Sequence, residues 1–94
     1  MNGKLEEKFR RYSLGVKQAL TSLKLKGSLD EKLSSKVSEV VSLAECYYRD
    51  ADHFHSRGET VTALISLAYG EGLLDALRIL GYVEFEWGGE TGRR

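Results

Sequence analysis

The sequence predicts an all-α fold, a three-helix bundle followed by a short extended tail. Three observations support this prediction. Apolar residues recur every three or four positions in three stretches of the chain, and breaks that contain glycine separate these stretches. No proline, the strongest helix breaker, occurs among the 94 residues. This length suits one small domain, which we divide into a bundle over residues 1–81 and an extended, partly disordered tail over residues 82–94.

The first apolar stripe predicts a helix over residues 4–25. Its members are four, three, four, three and four positions apart, so they share one helix face: Leu5, Phe9, Tyr12, Val16, Ala19 and Leu23. Gly27 is expected to end this helix, because glycine readily adopts the conformation of a C-terminal cap. Ser28 and Glu31 have the spacing of a capping box, which predicts that the next helix begins at about residue 29.

Two further stripes predict helix 2 over residues 29–55 and helix 3 over residues 60–80. Ser56–Gly58 forms the break between them, and Gly81 stands where a capping glycine belongs. The apolar set of helix 3 is broad enough to be buried against both other helices, and it consists of Val61, Leu64, Ile65, Leu67, Ala68, Leu73, Leu74, Leu77, Ile79 and Leu80.

Two glycines inside helix 3 predict a close approach of two backbones. Gly70 and Gly72 each cost about 1 kcal/mol relative to alanine in a helix interior, and close packing would offset that cost. Short loops make neighbouring helices antiparallel. The register that follows from the loop positions places Phe9 of helix 1 opposite Gly70.

The same register predicts a buried polar layer. A carboxylate inside the most apolar helix needs hydrogen-bond partners, and Asp75 would find them in the hydroxyl groups of Tyr12 and Ser42. Tyr69 is also expected to be buried, against helix 2. A catalytic interpretation makes Asp75 a general acid or base. We favour a structural hydrogen bond that fixes the register of the helices.

The tail segment Tyr82–Trp87 alternates apolar and acidic residues, which is the period of a strand. A lone strand has no partner in a helical bundle. The side chains of Val83, Phe85 and Trp87 therefore either pack on the bundle or pair with another chain, and we favour packing. Three glycines and two terminal arginines predict a frayed end after residue 87.

Charge and composition exclude several classes of protein. Lys plus Arg and Asp plus Glu both number 14, so the chain lacks the positive excess of a generic polyanion binder. The single cysteine, Cys46, excludes an intrachain disulfide and a multi-cysteine zinc site. The longest mostly apolar run, Val61–Tyr69, is shorter than the roughly 20 residues that span a bilayer. Since no signal peptide is visible, we expect a cytoplasmic protein that uses no membrane and no cofactor.

Helix 2 ends in a dense polar cluster that offers metal chemistry. Asp52 and His55 are three residues apart and face the same way, so with Glu59 as a third ligand they form a candidate metal site, and the same cluster is a candidate site for a small ligand. Helix ends are commonly rich in histidine and charge because of the helix dipole. We therefore favour a solvated helix terminus that holds no metal.

An RNA-associated function is the leading alternative. Five residues separate Arg49 from His55, a spacing compatible with helical ribonucleases of the HEPN type, which cut RNA with an arginine and a histidine across a dimer. Residues 1–26 hold seven basic and two acidic residues, a local net charge of +5. Helix 1 is therefore a candidate for binding RNA through its phosphates.

The sequence contains no nucleophile–base–acid set, no phosphate-binding glycine loop and no nucleotide motif. It therefore favours a non-enzymatic protein-interaction or assembly module, which binds a protein partner or forms a homodimer. The candidate surfaces are the tail and the end of helix 2, with the side chains of Val83, Phe85, Trp87, Asp50, His53 and His55.

A further set of residues runs through helices 2 and 3. It comprises the segments Tyr47–Phe54 and Gly58–Val61, then Ala63, Leu64, Tyr69, Gly72, Leu74, Asp75 and Ala76. This half of the chain resembles a small archaeal family, domain of unknown function 357, with its patterns YYxDAxxFxxxGD and YAxGxLDA. Glu59 stands where an aspartate is common, and Gly70 also departs from the pattern. The resemblance implies a left-handed three-helix bundle and a cytosolic archaeal protein, with no established activity and no catalytic residues.

Overall fold

The computed structural model describes residues 3–87. In chain order its elements are α1 (Gly3–Ser22), β1 (Lys24–Leu25), α2 (Glu31–Ser56), α3 (Thr60–Ile79) and β2 (Val83–Glu84). The predicted all-α three-helix bundle is confirmed, with two short strands as an addition at one end. The predicted frayed end, residues 88–94, lies outside the described residues.

The core lies where α3 packs against both other helices, and its contact with α2 is the more extensive. Small side chains bring α2 and α3 close together, and Ala44 and Ala63 are fully buried between the helices of the bundle. A Cβ atom on Gly70 would lie only 3.3 Å from the carbonyl oxygen of Ala44. The predicted close approach is therefore present, but α2 makes it. The expected position of Phe9 opposite Gly70 is wrong, because Phe9 stacks on His55.

Glycines end both α2 and α3. Gly58 and Gly81 have φ values of 82° and 84°, in the left-handed region that glycine adopts without strain. In each case the amides of the glycine and of the next residue donate to carbonyls in the last helical turn, at 2.9–3.0 Å. This is the Schellman pattern, which satisfies carbonyl groups that the helix leaves free. It confirms the predicted cap at Gly81 and the predicted break at Gly58.

The start of α2 differs from the prediction. The N-cap is Asp30, whose Oδ1 accepts a hydrogen bond from the amide of Leu33 at 2.8 Å. Aspartate is among the best N-cap residues because its side chain satisfies an amide that has no partner in the first turn. Ser28 lies in the turn before this cap and is exposed. The predicted capping box of Ser28 and Glu31 is therefore wrong.

The connection between α1 and α2 supplies a strand for the tail. α1 ends at Ser22, earlier than predicted, because β1 pairs with β2 in antiparallel orientation, with Leu25 opposite Val83. The amide of Lys26 extends this pairing by donating to the carbonyl of Tyr82 at 2.9 Å. The expectation that a tail strand finds no partner within the bundle was therefore wrong.

The tail packs on its own bundle. Val83 is 1% exposed and lies in a small core cluster with Leu77. Phe85 and Trp87 are partly buried against the main core. The Trp87 ring covers Gly15 so closely that a Cβ atom there would lie 3.0 Å from Trp87 Nε1. Because Val83 is buried, the structure does not present it as part of a binding surface.

The predicted buried polar layer is only partly present. Ser42 is exposed, because the side of α2 that faces the core is the one that carries Val37, Ala44 and Ala51. Tyr69 is 63% exposed on the outer side of α3, so its predicted burial was wrong. The side chain of Asp75 is 16% exposed, and Tyr12 is partly buried against the core.

Candidate functional site

The outer side of α3 carries large apolar side chains along its whole length, with Thr62 as an exposed polar residue in the first turn. Five large side chains there are more than half exposed, with Val61 at 59%, Ile65 at 53%, Tyr69 at 63%, Ile79 at 73% and Leu80 at 61%. Ala68, Gly72 and Ala76 are exposed on the same side, between the large residues. We call these eight residues the α3 face.

The core of the bundle does not use these side chains. The inner side of α3 fills the core with Leu67 and Leu74, which are 1% and 0% exposed. The sequence predicts that the whole apolar set of α3 packs against the other two helices. This prediction is wrong for five residues, which are exposed: Val61, Ile65, Ala68, Ile79 and Leu80. The helix therefore carries more apolar surface than its own fold requires.

No charged residue lies on the α3 face. The helix contains three, none of them among the eight residues of the face, and Asp75 lies at its border beside Ala68. Glu71 is 9% exposed on the inner side, and Asp75 Oδ1 lies 3.4 Å from Arg78 Nη2. Surface helices ordinarily carry charged and polar residues on the side that faces water. An exposed apolar face of this extent marks an interaction site in many proteins.

Residues of α2 extend and stiffen one edge of the α3 face. Leu43 is 47% exposed. The ring of Tyr47 stacks on that of Tyr69, with centroids 5.4 Å apart and an angle of 19° between the planes. The hydroxyl of Ser66 donates to the carbonyl of Tyr47 at 2.8 Å. These contacts fix the two helices to each other beside the exposed rings.

Within residues 3–87, α3 is the one helix that is long and apolar enough to cross a membrane by length and composition alone. A core helix of a bundle passes the same criterion, and the inner side of α3 is such a core. The run Val61–Tyr69 alone is too short to meet this criterion. The whole helix meets it, because its apolar character continues past Glu71 and Asp75.

A polar junction joins the three helices at the other candidate region. Glu6 of α1 lies between the end of α2 and the start of α3. The Nε2 group of His55 donates to Glu6 Oε1 at 2.7 Å, and the hydroxyl of Thr60 donates to Glu6 Oε2 at 2.9 Å. The ring of Phe9 stacks on His55, with centroids 4.0 Å apart and planes 12° apart. We call Glu6, His55 and Thr60 the helix junction.

Hydrogen bonding sets the charge state of the helix junction. The bond from His55 lowers the pKa of the Glu6 carboxyl below 4.5, and the bond from Thr60 lowers it further. The carboxylate also lies at the start of α3, where the helix dipole favours negative charge. An ionised carboxylate only accepts, so the proton in the bond to His55 belongs to the imidazole. Sequence reasoning missed Glu6, since its partners lie 49 and 54 residues away.

The predicted metal ligands have other contacts. His55 is bonded to Glu6, and Glu59 Oε2 lies 3.6 Å from Arg57 Nε. Asp52 is exposed. Across residues 3–87 no group of three His, Cys, Asp or Glu side chains is placed to hold a metal ion. The structure does not bring the three predicted ligands together.

The predicted ribonuclease pair also has separate surroundings. Arg49 is exposed and its Nη2 lies 3.5 Å from Cys46 Sγ, whereas His55 is partly buried in the helix junction. Asp50 and His53, the other interaction candidates at this end of α2, are exposed. These residues form no shared constellation with His55.

An open groove of about 610 Å³ lies between α1 and α2 beside His55. Its rim carries charges of both signs. Arg10 and Arg11 face it together with Glu7 and Asp52. Because these charges balance, the groove does not select an anion or a cation, and it adds no clear ligand preference.

Comparison with known proteins gives one positive finding. No curated protein and no solved structure matches the chain. The family model described as "Protein of unknown function (DUF357)" matches residues 11–83. The match includes part of α1, all of α2 and α3, and Val83 of β2. Since it covers more than half of the chain, the protein belongs to the DUF357 family.

Proposed function

We propose that the protein is a non-enzymatic interaction module that binds a protein partner through the α3 face. One observation carries the proposal: five large apolar side chains are more than half exposed on a helix face that bears no charge. Full burial of one such side chain contributes roughly 1.5–3 kcal/mol. Removing the face from water would therefore supply a strong driving force for association.

The contrast with the other helices supports the proposal. The exposed positions of α1 include Lys4, Lys8, Arg11 and Lys17, and those of α2 include Lys36, Glu39, Arg49 and Asp50. These two helices follow the usual pattern of a solvated surface. In the described chain the large apolar side chains that are more than half exposed all lie on the α3 face, whereas Leu14 of α1, at 48%, lies at the groove beside His55.

The α3 face is also well held in place. α3 ends in a glycine cap, packs against both other helices, and is joined to α2 by the stacking of Tyr47 on Tyr69. A preorganised surface loses little conformational freedom when it binds. The bundle therefore supplies a rigid support for the exposed side chains.

Photo-crosslinking in host cells tests the proposal, because it links the chain to whichever molecule contacts the chosen position. A benzophenone amino acid replaces Ile65 in the α3 face, and in a control chain it replaces Gln18, an exposed residue of α1. We expect discrete polypeptide adducts from position 65 that Tyr69→Glu abolishes, and none of these adducts from position 18. Equal adducts at both positions, or no polypeptide adduct at position 65, would contradict the proposal.

A second candidate function is RNA binding through α1. The observation that favours it is the exposure of five basic side chains on one helix, Lys4, Lys8, Arg10, Arg11 and Lys17. Fluorescence anisotropy with an unstructured RNA oligonucleotide tests it. We expect affinity that falls with added salt and falls again in the double variant Lys8→Ala, Arg11→Ala. An affinity that the double substitution leaves unchanged would remove this candidate.

A further inference from the structure

We infer that the partner of the α3 face is a second copy of this chain, packed so that the two α3 helices run antiparallel about a two-fold axis near residue 70. The inference rests on the proposed function and adds the identity and orientation of the partner. A two-fold interface brings the same surface patch of each copy together, so that patch must be self-complementary.

Charge is the first argument for a second copy. None of the eight residues of the α3 face is charged, so two copies of the face meet without burying an unpaired charge, and Asp75 at its border is paired with Arg78. The whole chain has a net charge of zero at pH 7, so two copies do not repel each other through their overall charge. The outer sides of α1 and α2 lack this property, because both carry exposed charges.

Area is the second argument. The five large side chains of the α3 face and that of Leu43 are 47–73% exposed. Together they leave a mainly apolar surface on the order of 600 Å², at the upper end of the roughly 300–600 Å² of the largest patch on a typical monomer. A standard protein–protein interface buries about 800 Å² on each partner. One α3 face with its α2 edge is therefore about as large as one half of such an interface.

Gly72 is the third argument. Glycine in a helix interior destabilises the helix relative to alanine, so its presence needs a reason. For Gly70 the reason lies within the chain, since a Cβ atom there would meet Ala44. A Cβ atom on Gly72 would meet nothing within 4 Å in the described part of the chain. The close approach of a second backbone at Gly72 supplies the missing reason.

The order of side-chain sizes along α3 indicates the antiparallel orientation. Ala68 and Gly72 lie at equal distances from residue 70, and Val61 and Ile79 do so further out. Antiparallel packing about residue 70 places Ala68 and Gly72 of both copies at the centre, with Tyr69 beside them on the α2 edge of the face, and large apolar residues at each end. It also sets the positive end of each helix dipole beside the negative end of the other.

The solution mass of the purified full chain, measured by light scattering over a range of concentrations, tests the second copy. We expect twice the chain mass of 10.5 kDa. Ile65→Glu places a charge in the α3 face and is expected to give the single-chain mass. Gln18→Glu adds the same charge on exposed α1 and is expected to keep the double mass. Circular dichroism confirms that each variant is folded, and Tyr69→Glu replaces Ile65→Glu if that chain does not fold.

Disulfide crosslinking tests the orientation in a Cys46→Ser background. Gly72→Cys places two thiols beside the two-fold axis, within the short distance that a disulfide spans. Val61→Cys places them at opposite ends of the helix pair, roughly 27 Å apart along the axis. We expect linked chains from position 72 and none from position 61, with Ala68→Cys as a second central position. Linkage at position 61 would overturn the antiparallel arrangement.

The two proposals fail in different ways. One outcome is a single-chain mass at every concentration together with photo-crosslinks from position 65 to another polypeptide. It would overturn self-association through the α3 face and would support binding of a different protein there. Binding of the chain to neutral lipid vesicles, with no polypeptide adduct at position 65, overturns both. A double mass that Ile65→Glu leaves unchanged overturns the role of the α3 face in self-association.

Discussion

The carboxylate of Glu6 contacts two other helices with its two oxygens. Oε1 accepts from His55 at the end of α2, and Oε2 accepts from Thr60 at the start of α3. Each bond favours the ionised form, which is why the pKa of Glu6 lies below 4.5. The side chain is nevertheless accessible to water, with 42% of its area exposed. The Glu6 carboxylate therefore makes the free energy of unfolding depend on pH although its charge is exposed to water.

The first prediction concerns this linkage. A pKa that is lower in the folded chain than in the unfolded chain adds to the free energy of unfolding above the unfolded value, near 4.5, and this contribution is lost as the pH falls through the folded value. Urea unfolding of the wild type and of Glu6→Gln is the measurement. We expect the wild type to be more stable at neutral pH, and the difference to shrink below about pH 4.5.

Glu7→Gln is the matched control for Glu6→Gln. Glu7 is the next residue on α1, and its contact is an exposed pair with Arg11 at 3.8 Å. Exposed pairs of this kind contribute little to stability. A pH dependence that Glu7→Gln alters as much as Glu6→Gln does would show that the helix junction is not its source.

The second prediction concerns Gly15, where the ring of Trp87 packs on α1. A Cβ atom would lie 3.0–3.2 Å from three ring atoms, so Gly15→Ala is expected to displace the ring toward water. Trp87 is the single tryptophan, so its fluorescence reports this position alone, and we expect a red shift of the emission maximum. The better helix propensity of alanine, about 1 kcal/mol, should offset most of the lost packing. Gly3→Ala, at the exposed start of the same helix where a Cβ atom meets nothing within 4 Å in the described chain, is the control and should leave the emission unchanged.

At the scale of the elements, the strand pair explains how the bundle closes at one end. β2 lies beside β1, and Val83 covers a cluster with Val37 and Leu77 that the three helices leave open. A two-stranded pair is marginal on its own. Its stability here comes from the buried side chain more than from its few hydrogen bonds.

The third prediction follows from that burial. Val83→Ala removes two methyl groups from a side chain that is 1% exposed, and we expect a loss on the order of 2 kcal/mol in the free energy of unfolding. Glu84→Ala changes the neighbouring exposed residue, which pairs with Lys26 at 3.7 Å, and should cost at most about 0.5 kcal/mol. Urea unfolding of both variants checks this, and equal losses would count against the buried strand.

Local patterns in the sequence predicted the helices well. Apolar periodicity identified all three, and the glycine signals placed the ends of α2 and α3. The end of α1 was wrong because Lys24 and Leu25 continue a helical pattern, while their actual partners lie at the other end of the chain. Periodicity describes only neighbours along the sequence, so it cannot detect such a pairing.

Sequence reasoning was weaker for the candidate site. The excess of apolar residues in α3 predicts burial against two helices, because periodicity does not say how much of the helix circumference the core covers. Tyr69 and Ser42 were placed in the interior by a register taken from loop positions, and an error of one or two residues rotates a side chain from the core to the surface. The resemblance of helices 2 and 3 to a family was confirmed by the match over residues 11–83.

The whole molecule has a clear difference between its sides. It is elongated, with extents of 49 × 25 × 17 Å. Most of its exposed charges lie on α1 and α2, whereas the α3 face has none. A 20-residue helix is about 30 Å long. The apolar face therefore runs along more than half of the long dimension.

The fourth prediction concerns this separation of charge from apolar surface. Self-association through an uncharged face should depend little on screening, so we expect less than about a threefold change in the dimer dissociation constant when the Debye length falls from roughly 10 Å in 0.1 M salt to 3 Å in 1 M salt. Analytical ultracentrifugation at the two salt concentrations is the measurement. Steep weakening with salt would instead indicate charged contacts, such as those of α1.

The strand pair also affects how the chain folds during synthesis. Lys24 pairs with Glu84, which the ribosome adds 60 residues later. α2 and α3 are joined by a short connection, so this hairpin can form as soon as it emerges. Val83 is needed to cover Val37 and Leu77. These two side chains therefore stay accessible to other chains until Val83 has been added and has packed against them. The last step of folding therefore waits for nearly all of the described chain to leave the ribosome.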